Sequence, residues 1–235
     1  MKKIMPYHAV ILPAFKPSEI LVELVNDLRA ALDILIVVVN DGSPETYEHI
    51  FTQLRAVNVV VLEHSRNCGK GRALKSAFEY ILQNYPQISG AVTADADGQH
   101  RVADIIKCIE TLDRCPDNLI IGSRDLTASQ VPWKSRFGNR VCSWLFKLRY
   151  DIRLNDTQCG LRGIPAEFMQ ILLDVSGERY EFESSMLKAA RNSAHRVFPF
   201  REIPIEAVYE PGNPTSHLKI FQDSQKILAA ILKNK

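Results

Sequence analysis

Two kinds of apolar pattern alternate along the first half of the chain. Short, mostly apolar runs that are typical of buried strands occupy residues 8–12, 34–39, 57–63, 91–94 and 119–122. Apolar residues recur every three or four positions, as on one face of a helix, over residues 18–32, 47–56, 71–84 and 103–112. This alternation predicts an α/β fold with a mostly parallel central sheet and helices on both faces. Ligands of such sheets bind beyond the carboxyl ends of the strands, so functional residues are expected in those turns.

The length and composition are those of an ordinary globular domain. No internal repeat or low-complexity linker interrupts the 235 residues, which favours a single domain over residues 1–235. The near balance of 29 Lys or Arg and 27 Asp or Glu does not indicate nucleic-acid binding. The longest unbroken aliphatic run, residues 34–39, is far shorter than the roughly 20 residues of a membrane-spanning helix. The five cysteines are scattered without a CxxC pair, which predicts reduced thiols in the cytoplasm and no zinc site.

The sharpest chemical signal is the pair of aspartates, Asp95 and Asp97, that follows the apolar run at 91–94. Carboxylates one residue apart at a strand end can both approach one hard divalent cation, and the amide oxygen of Gln99 can join them. Mg²⁺ or Mn²⁺ suits these ligands when phosphate oxygens complete the coordination shell. The alternative is an acidic turn whose aspartates bind their own backbone.

Two other turns could contact a nucleotide. Asp41, in an Asn-Asp-Gly-Ser turn after the run at 34–39, could accept hydrogen bonds from a base or ribose, although an ordinary turn explains the same residues. Residues 67–72 form a glycine-spaced basic loop that opens a helix, where backbone amides and Lys70 could meet an anion. The spacing matches neither a Walker A motif nor a GxGxxG fingerprint.

Seven short motifs occur in a characteristic order, at residues 12–15, 39–43, 67–74, 95–100, 122–124, 156–162 and 213–217. Together they resemble the motifs of family 2 glycosyltransferases, over roughly residues 8–225. More narrowly, the chain resembles the branch that contains dolichol-phosphate mannose synthases and bactoprenol-phosphate glucosyltransferases. The resemblance implies a GT-A fold and a reaction that inverts the anomeric centre.

The resemblance also implies roles for the matching residues. Pro13 and Ala14 would line the nucleotide pocket, and Asp41 would lie on the base or ribose side. Residues implied in holding the metal are Asp95, Asp97 and Gln99, and those implied in binding the rest of the nucleotide sugar are Lys70, Asp95 and Arg124. The candidates for a catalytic role are Asp97, Asp156 and Glu183. Asp156 would contact the sugar or orient the acceptor, unless it is a loop carboxylate, and Glu183 could equally begin a helix.

A basic and aromatic segment spans residues 131–153. It carries six basic residues and one acidic residue between Trp133 and Arg153, interleaved with aromatic side chains. A helix of this kind can lie in a membrane interface, where Lys134, Arg136 and Arg140 would receive a lipid phosphate. The alternative is that its apolar residues pack on the sheet and leave a solvated basic face.

The carboxyl-terminal region carries two further candidates. A loop with His217 and Lys219 could close over the diphosphate and supply hydrogen-bond donors. An amphipathic helix over residues 220–233 could pack on the core or make a second interfacial contact.

The expected function is metal-dependent, inverting transfer of a hexose from a UDP- or GDP-linked sugar to a polyprenyl phosphate or related lipid-linked acceptor. The expected location is cytoplasmic and peripheral, at the cytoplasmic membrane face, with a possible membrane partner protein and a role in cell-envelope synthesis. A saccharide acceptor is the alternative, and it would require a general base, for which Asp156 and Glu183 are candidates. A sugar nucleotidyltransferase is less compatible, because the glycine-rich loop expected after the first strand is missing.

Overall fold

The computed structural model describes residues 3–127, 133–192, 196–206 and 231, without the side chains of Pro6 and residues 133–135. Its strands are β1 (Lys3–Ala14), β2 (Leu32–Asn40), β3 (Val60–Glu63), β4 (Gly90–Thr93), β5 (Leu119–Arg124), β6 (Arg162–Pro165) and β7 (Phe200–Ile205). Its α-helices are α1 (Ile20–Ala31), α2 (Glu48–Ala56), α3 (Lys70–Asn84), α4 (Val102–Arg114), α5 (Trp133–Tyr150), α6 (Ala166–Leu172) and α7 (Glu181–Asn192).

The strands form one sheet in the order β3-β2-β1-β4-β6-β5-β7. Parallel pairing joins β1 to β2 and β4, β2 to β3, and β5 to β7. Strand β6 lies between β4 and β5 and is antiparallel to both. The predicted α/β fold with a mostly parallel sheet is therefore confirmed, with one reversed strand inserted in its middle.

Helices cover both faces of this sheet. Alternate residues of β1 point to opposite sides, so Val10 and Leu12 pack with α1, α2 and α4, whereas Ala9 and Ile11 pack with α3, α6 and α7. The inner side of α5 adds Phe146 to the second of these layers. The apolar periodicity of the sequence therefore corresponds to two buried layers on either side of one sheet.

Strand β1 is longer than the run at 8–12 predicts, because it continues through Pro13 to Ala14. Proline lacks the N–H that a fully paired central strand would use. Pairing of β1 with β4 ends at Ile11, so no donor is required from Pro13 on that side, while pairing with β2 continues to Asn40. The extension carries Pro13 and Ala14 to the same sheet edge as Asp41.

The two expected interfacial elements have different outcomes. Residues 133–150 form a helix, as predicted for the basic segment. The helix predicted over 220–233 lies outside the described residues except for Ile231, which is buried and whose carbonyl accepts a hydrogen bond from the Tyr150 hydroxyl at 2.8 Å. Within the described part of the chain, no helix has the length and apolar character needed to cross a membrane.

Candidate active site

Polar side chains gather at the edge of the sheet where the parallel strands end. Strands β1, β2, β4 and β5 deliver Ala14, Asp41, Asp95 and Arg124 to this edge, in or directly after their last residues. Because β6 runs in the opposite direction, it begins at the same edge, with Arg162. The reversed strand therefore adds a cation and the loop before it to the site.

Lys70 stands at the centre of this edge. Its ammonium group lies 2.6 Å from Oδ1 of Asp95 and 3.0 Å from Oε1 of Glu183. The lysine is the first residue of α3 and Glu183 lies in the first turn of α7, so the contact joins two helices to the end of β4. The structure therefore brings the basic loop, the aspartate motif and Glu183 together, while their roles in binding and catalysis stay predictions.

The charges of Asp95 and Lys70 shift each other's pKa. Burial alone would raise the pKa of Asp95, but the positive charge of Lys70 and the contact with His100 outweigh it and hold that pKa well below its usual range. Burial likewise opposes the charged form of Lys70, yet Asp95 and Glu183 raise its pKa above the ordinary value. Asp95 and Lys70 are therefore both ionised at neutral pH.

Asp97 differs electrostatically from Asp95. Burial and, next, the negative charge of Asp95 raise the pKa of Asp97, and the Gln99 backbone N–H donates a hydrogen bond to its carboxylate at 3.1 Å. Two carboxylates that repel each other at a strand end form a pair of hard oxygen donors. This donor pair fits Mg²⁺ or Mn²⁺, because a cation would offset both the burial and the repulsion that raise the pKa of Asp97.

Gly160 makes room for Asp95. A Cβ atom added at Gly160 would lie 2.4 Å from Oδ2 of Asp95 and 2.8 Å from Oδ1, far inside van der Waals contact. The Thr93 hydroxyl fixes this approach by donating a hydrogen bond to the Gly160 carbonyl at 2.9 Å. The loop before β6 is therefore packed directly onto the carboxylate of the aspartate motif.

Asp41 is buried in a hydrogen-bond network of its own. Its carboxylate accepts hydrogen bonds from the backbone N–H groups of Cys68 and Gly69, both at 2.8 Å, and lies 2.8 Å from Nδ1 of His64. Nε2 of His64 lies 2.9 Å from the Ser76 hydroxyl. Asp41 thereby holds the loop before α3 in place, and the contact of Asp41 with a base or ribose stays a prediction.

Asp41 also belongs to a cluster of possible metal ligands. Within the described part of the chain, this is the one group of three His, Cys, Asp or Glu side chains that lie close enough to share a metal. Ligand atoms of Asp41, His64 and Cys68 all lie within 4.8 Å of one another. The distance of 2.8 Å between Asp41 and His64 is that of a hydrogen bond, and the backbone amides already occupy both carboxylate oxygens. This group is therefore a hydrogen-bond network, distinct from the predicted site at Asp95 and Asp97.

Asp156 is fully buried and paired with Arg124. The guanidinium contacts both carboxylate oxygens, with Nε 2.6 Å from Oδ2 and Nη2 3.1 Å from Oδ1, and the Gln158 backbone N–H donates to Oδ1 at 3.0 Å. Such a two-point pair fixes both partners strongly. The structure therefore brings two predicted site residues into contact with each other.

Arg162 is the largest fully buried side chain among the described residues. It donates hydrogen bonds to the backbone carbonyls of Thr157 at 3.2 Å, Cys159 at 3.1 Å and Glu183 at 2.6 Å. These bonds connect the loop before β6 to the start of α7, and hence to the partner of Lys70. The sequence motif at 156–162 includes Arg162, but its spacing did not reveal this role.

Other residues of the site gave no distinct signal in the sequence. His64, Gly160 and Asn139 act through neighbours that are distant along the chain, so only the folded structure identifies those neighbours. His100 belongs to the motif at residues 95–100, but the sequence predicts no role for it. In the structure its ring is buried and lies 3.4 Å from Oδ2 of Asp95. The predicted acceptor residues His217 and Lys219, and the side chain of Lys134, lie outside the described residues.

Comparison with known proteins identifies the family. Residues 9–175 match the model of glycosyl transferase family 2, so the chain belongs to this family and is a glycosyltransferase. It is 27% identical over 218 residues to a UDP-N-acetylglucosamine–dolichyl-phosphate N-acetylglucosaminyltransferase of Methanococcus voltae, with 85% of each chain covered. It is 25% identical over 182 residues to a dolichyl-phosphate beta-glucosyltransferase of Trichomonas vaginalis, covering 73% of this chain and 53% of that protein.

A solved structure shares the fold. Glucosyl-3-phosphoglycerate synthase from Mycobacterium tuberculosis, in complex with Mn²⁺, UDP and glucosyl-3-phosphoglycerate, superposes with a TM-score of 0.68 at 15% identity. The alignment covers 97% of this chain and 79% of that one. The GT-A fold that the motif resemblance implies is therefore confirmed.

We expect Gly160→Ala to lower the transferase activity strongly, because a methyl group there would displace the Asp95 carboxylate. A displacement of this kind is expected to reduce kcat/KM by about 100-fold. Gly138→Ala in α5 is the matched control, since a Cβ there meets nothing within 4 Å. Circular dichroism checks that each variant is folded, and a transfer assay measures its activity. Full activity of a folded Gly160→Ala variant would contradict the role of Gly160 in making room for Asp95.

Lys70→Met removes the ammonium group between Asp95 and Glu183. We expect the free energy of unfolding at pH 7 to fall by about 2 kcal/mol, less than for a fully buried pair because 30% of the Asp95 side chain is exposed. The lowered pKa of Asp95 stabilises the folded wild type above the unfolded pKa, and this contribution is lost as the pH falls through the folded pKa.

The difference between wild type and Lys70→Met is therefore expected to be largest near neutral pH and to shrink below about pH 4. Urea unfolding at pH 7 and at lower pH measures it, with the exposed Lys147→Met as control. A difference that does not change with pH would mean that Lys70 stabilises the protein by packing alone.

Proposed function

We propose that this glycosyltransferase moves a hexose from a nucleotide sugar to a polyprenyl phosphate, in a metal-dependent reaction that inverts the anomeric centre. A phosphate oxygen of the acceptor attacks the anomeric carbon, and the bond to the nucleoside diphosphate breaks. The names of the two dolichyl-phosphate relatives support this acceptor class. The UDP- or GDP-linked donor and its base stay predictions.

The pairing of the two candidate bases carries the proposal. Asp156 is held at two points by Arg124, and Glu183 is held by Lys70. A saccharide hydroxyl must lose a proton as it attacks, which requires a carboxylate that can accept one. A phosphate is already ionised and needs no such base. Ion-paired carboxylates therefore favour a phosphate acceptor over the saccharide alternative.

The carboxylates of Asp95 and Asp97 and the amide of Gln99 are the residues proposed to hold the cation. When bound, Mg²⁺ or Mn²⁺ would supply charge neutralisation for the departing diphosphate. The Mn²⁺ in the complex of the structurally similar synthase is consistent with this assignment. Pro13 and Ala14 are proposed to line the nucleotide pocket, since the Ala14 carbonyl accepts a hydrogen bond from the Asp41 N–H at 2.8 Å.

The outer face of α5 supports a membrane-bound acceptor. Phe137, Trp144 and Leu148 are exposed by 64%, 59% and 67%. At about 100° per residue they form one stripe on the helix, and the basic side chains of Arg136, Arg140 and Lys147 form a row beside it. An apolar stripe flanked by a basic row matches the interface of an anionic bilayer. Peripheral attachment at the cytoplasmic membrane face is therefore proposed, with Arg136 and Arg140 toward the lipid phosphate, and a role for Lys134 stays a prediction.

The acceptor class is tested with nucleotide sugars, Mn²⁺, and a short-chain polyprenyl phosphate or the corresponding unphosphorylated polyprenol. Transfer is expected to the phosphate alone. Asp97→Asn is expected to reduce this transfer by about 100-fold or more, whereas Asp125→Asn, an exposed residue after β5, is expected to keep it. Equal transfer to a saccharide or to the free alcohol would remove the proposed acceptor.

Membrane attachment is tested by binding to vesicles that contain phosphatidylserine. Replacing Arg136 and Arg140 with Gln should weaken binding roughly 10–30-fold at low salt, at about 1 kcal/mol for each charge, and much less at high salt. Trp144→Ala should weaken binding at both salt concentrations, because its contribution is apolar. Replacing the exposed Arg191 and Arg201 with Gln gives the same change in net charge and should leave binding unchanged. Equal effects of both double variants would contradict a membrane face on α5.

A further inference from the structure

Asn139 is a buried polar residue of α5 that binds the loop beside the site. Its side-chain Oδ1 accepts hydrogen bonds from the Thr157 backbone N–H at 3.1 Å and from the Thr157 hydroxyl at 3.2 Å. Its Nδ2 donates to the Asn155 carbonyl at 2.7 Å. The residue is 2% exposed, so these bonds form away from water, where breaking them is expensive.

The loop that Asn139 holds, residues 155–158, leads directly into the site. Asp156 in this loop pairs with Arg124, and the Thr157 carbonyl accepts a hydrogen bond from Arg162. Two residues further on, Gly160 packs against the carboxylate of Asp95. The position of the loop therefore affects both the carboxylate of Asp156 and that of the aspartate motif.

A carboxylate on the sheet also holds this loop. Glu202 on β7 accepts hydrogen bonds from the Asn155 backbone N–H at 2.8 Å and from the Asn155 side chain at 3.0 Å. Glu202 belongs to the sheet, whereas Asn139 belongs to the helix whose outer stripe is exposed. Of these two anchors, only Asn139 lies on the same helix as that stripe.

We propose that Asn139 is a positioning residue through which a membrane-seated α5 orders the acceptor side of the active site. This inference rests on the proposed function, since it takes the exposed stripe of Phe137, Trp144 and Leu148 as the membrane face. A bilayer that binds this stripe favours one placement of the helix, and Asn139 passes that placement to residues 155–158. The enzyme is then more active on an acceptor in a bilayer than on the same acceptor in solution.

Hydrogen exchange gives the first test, on the wild-type protein. Addition of vesicles containing phosphatidylserine should slow exchange of the backbone amides at residues 155–158, including the Thr157 N–H that binds Asn139. Protection confined to α5 would overturn the inference. Because this test uses the wild-type protein, it does not depend on whether a variant folds.

Activity of Asn139→Ala gives the second test. Turnover of a short-chain polyprenyl phosphate is measured in buffer and in anionic vesicles, and the ratio of the two rates is the vesicle stimulation. We expect Asn139→Ala to bind vesicles and nucleotide sugar as the wild type does. Its vesicle stimulation, however, is expected to be about tenfold lower than that of the wild type. Ser143→Ala on the same helix is the matched control, because that buried hydroxyl has no hydrogen-bond partner among the described residues.

The possible outcomes separate the two proposals. Absence of transfer to polyprenyl phosphate by the wild type, in buffer and in vesicles, would refute the proposed function and this inference with it. Transfer by the wild type with equal stimulation of wild type and Asn139→Ala would refute only the inference. Loss of stimulation in Asn139→Ala, with unchanged vesicle binding and an unaffected Ser143→Ala, would support it.

Discussion

The ion pairs of Lys70 join three parts of the chain that meet only in the folded protein. The ammonium group contacts Asp95 after β4 and Glu183 in the first turn of α7, and Lys70 itself is the first residue of α3. Two carboxylates brought this close repel each other unless a cation lies between them. The approach of α7 to the sheet edge therefore depends on Lys70, and the aspartate motif is held in place by the same group.

Close packing around this contact requires small residues. A Cβ atom at Gly71 would lie 2.5 Å from Cβ of Phe182 on α7, so glycine beside Lys70 allows the two helices to approach. Arg162 fixes the other side by binding the Glu183 carbonyl and two carbonyls of the loop before β6. Because its three oxygen acceptors are all backbone carbonyls, Arg162 fixes the course of the chain rather than neutralising a carboxylate.

The sequence predicted the elements whose signals are local. Strand ends followed by Asp41 and Asp95, and a helix that opens with Lys70, are visible as apolar runs that stop at polar turns. Strand β6 was not predicted, because its four residues, Arg162–Pro165, have no periodicity and are placed by pairing with β4 and β5. Strand β7 was missed for a related reason, since Arg201, Glu202 and Pro204 interrupt its six residues and leave no apolar run.

The pairing of side chains was equally beyond local signals. The sequence predicts Asp41 and Asp156 as carboxylates of the candidate site, but it does not reveal how many hydrogen-bond donors contact each of them. In the structure Asp41 accepts bonds from Cys68, Gly69 and His64, and Asp156 pairs with Arg124. These partners are distant in sequence, so a carboxylate with a partner and one able to take a proton look the same until the chain is folded.

The net charge of +2 conceals a separation that is significant for the chemistry. At the sheet edge, Lys70 and Arg124 neutralise acidic groups that are already buried, so a diphosphate entering there gains little from these cations alone. Burial raises the pKa of Asp97 most, and the negative charge of Asp95 raises it further. A divalent cation would offset both effects, while the basic row lies on α5, the helix that Asn139 ties to the loop. Under the proposed function, an acceptor phosphate and a donor diphosphate would therefore meet two separate sets of positive charge, one brought in with the donor and one built into the helix.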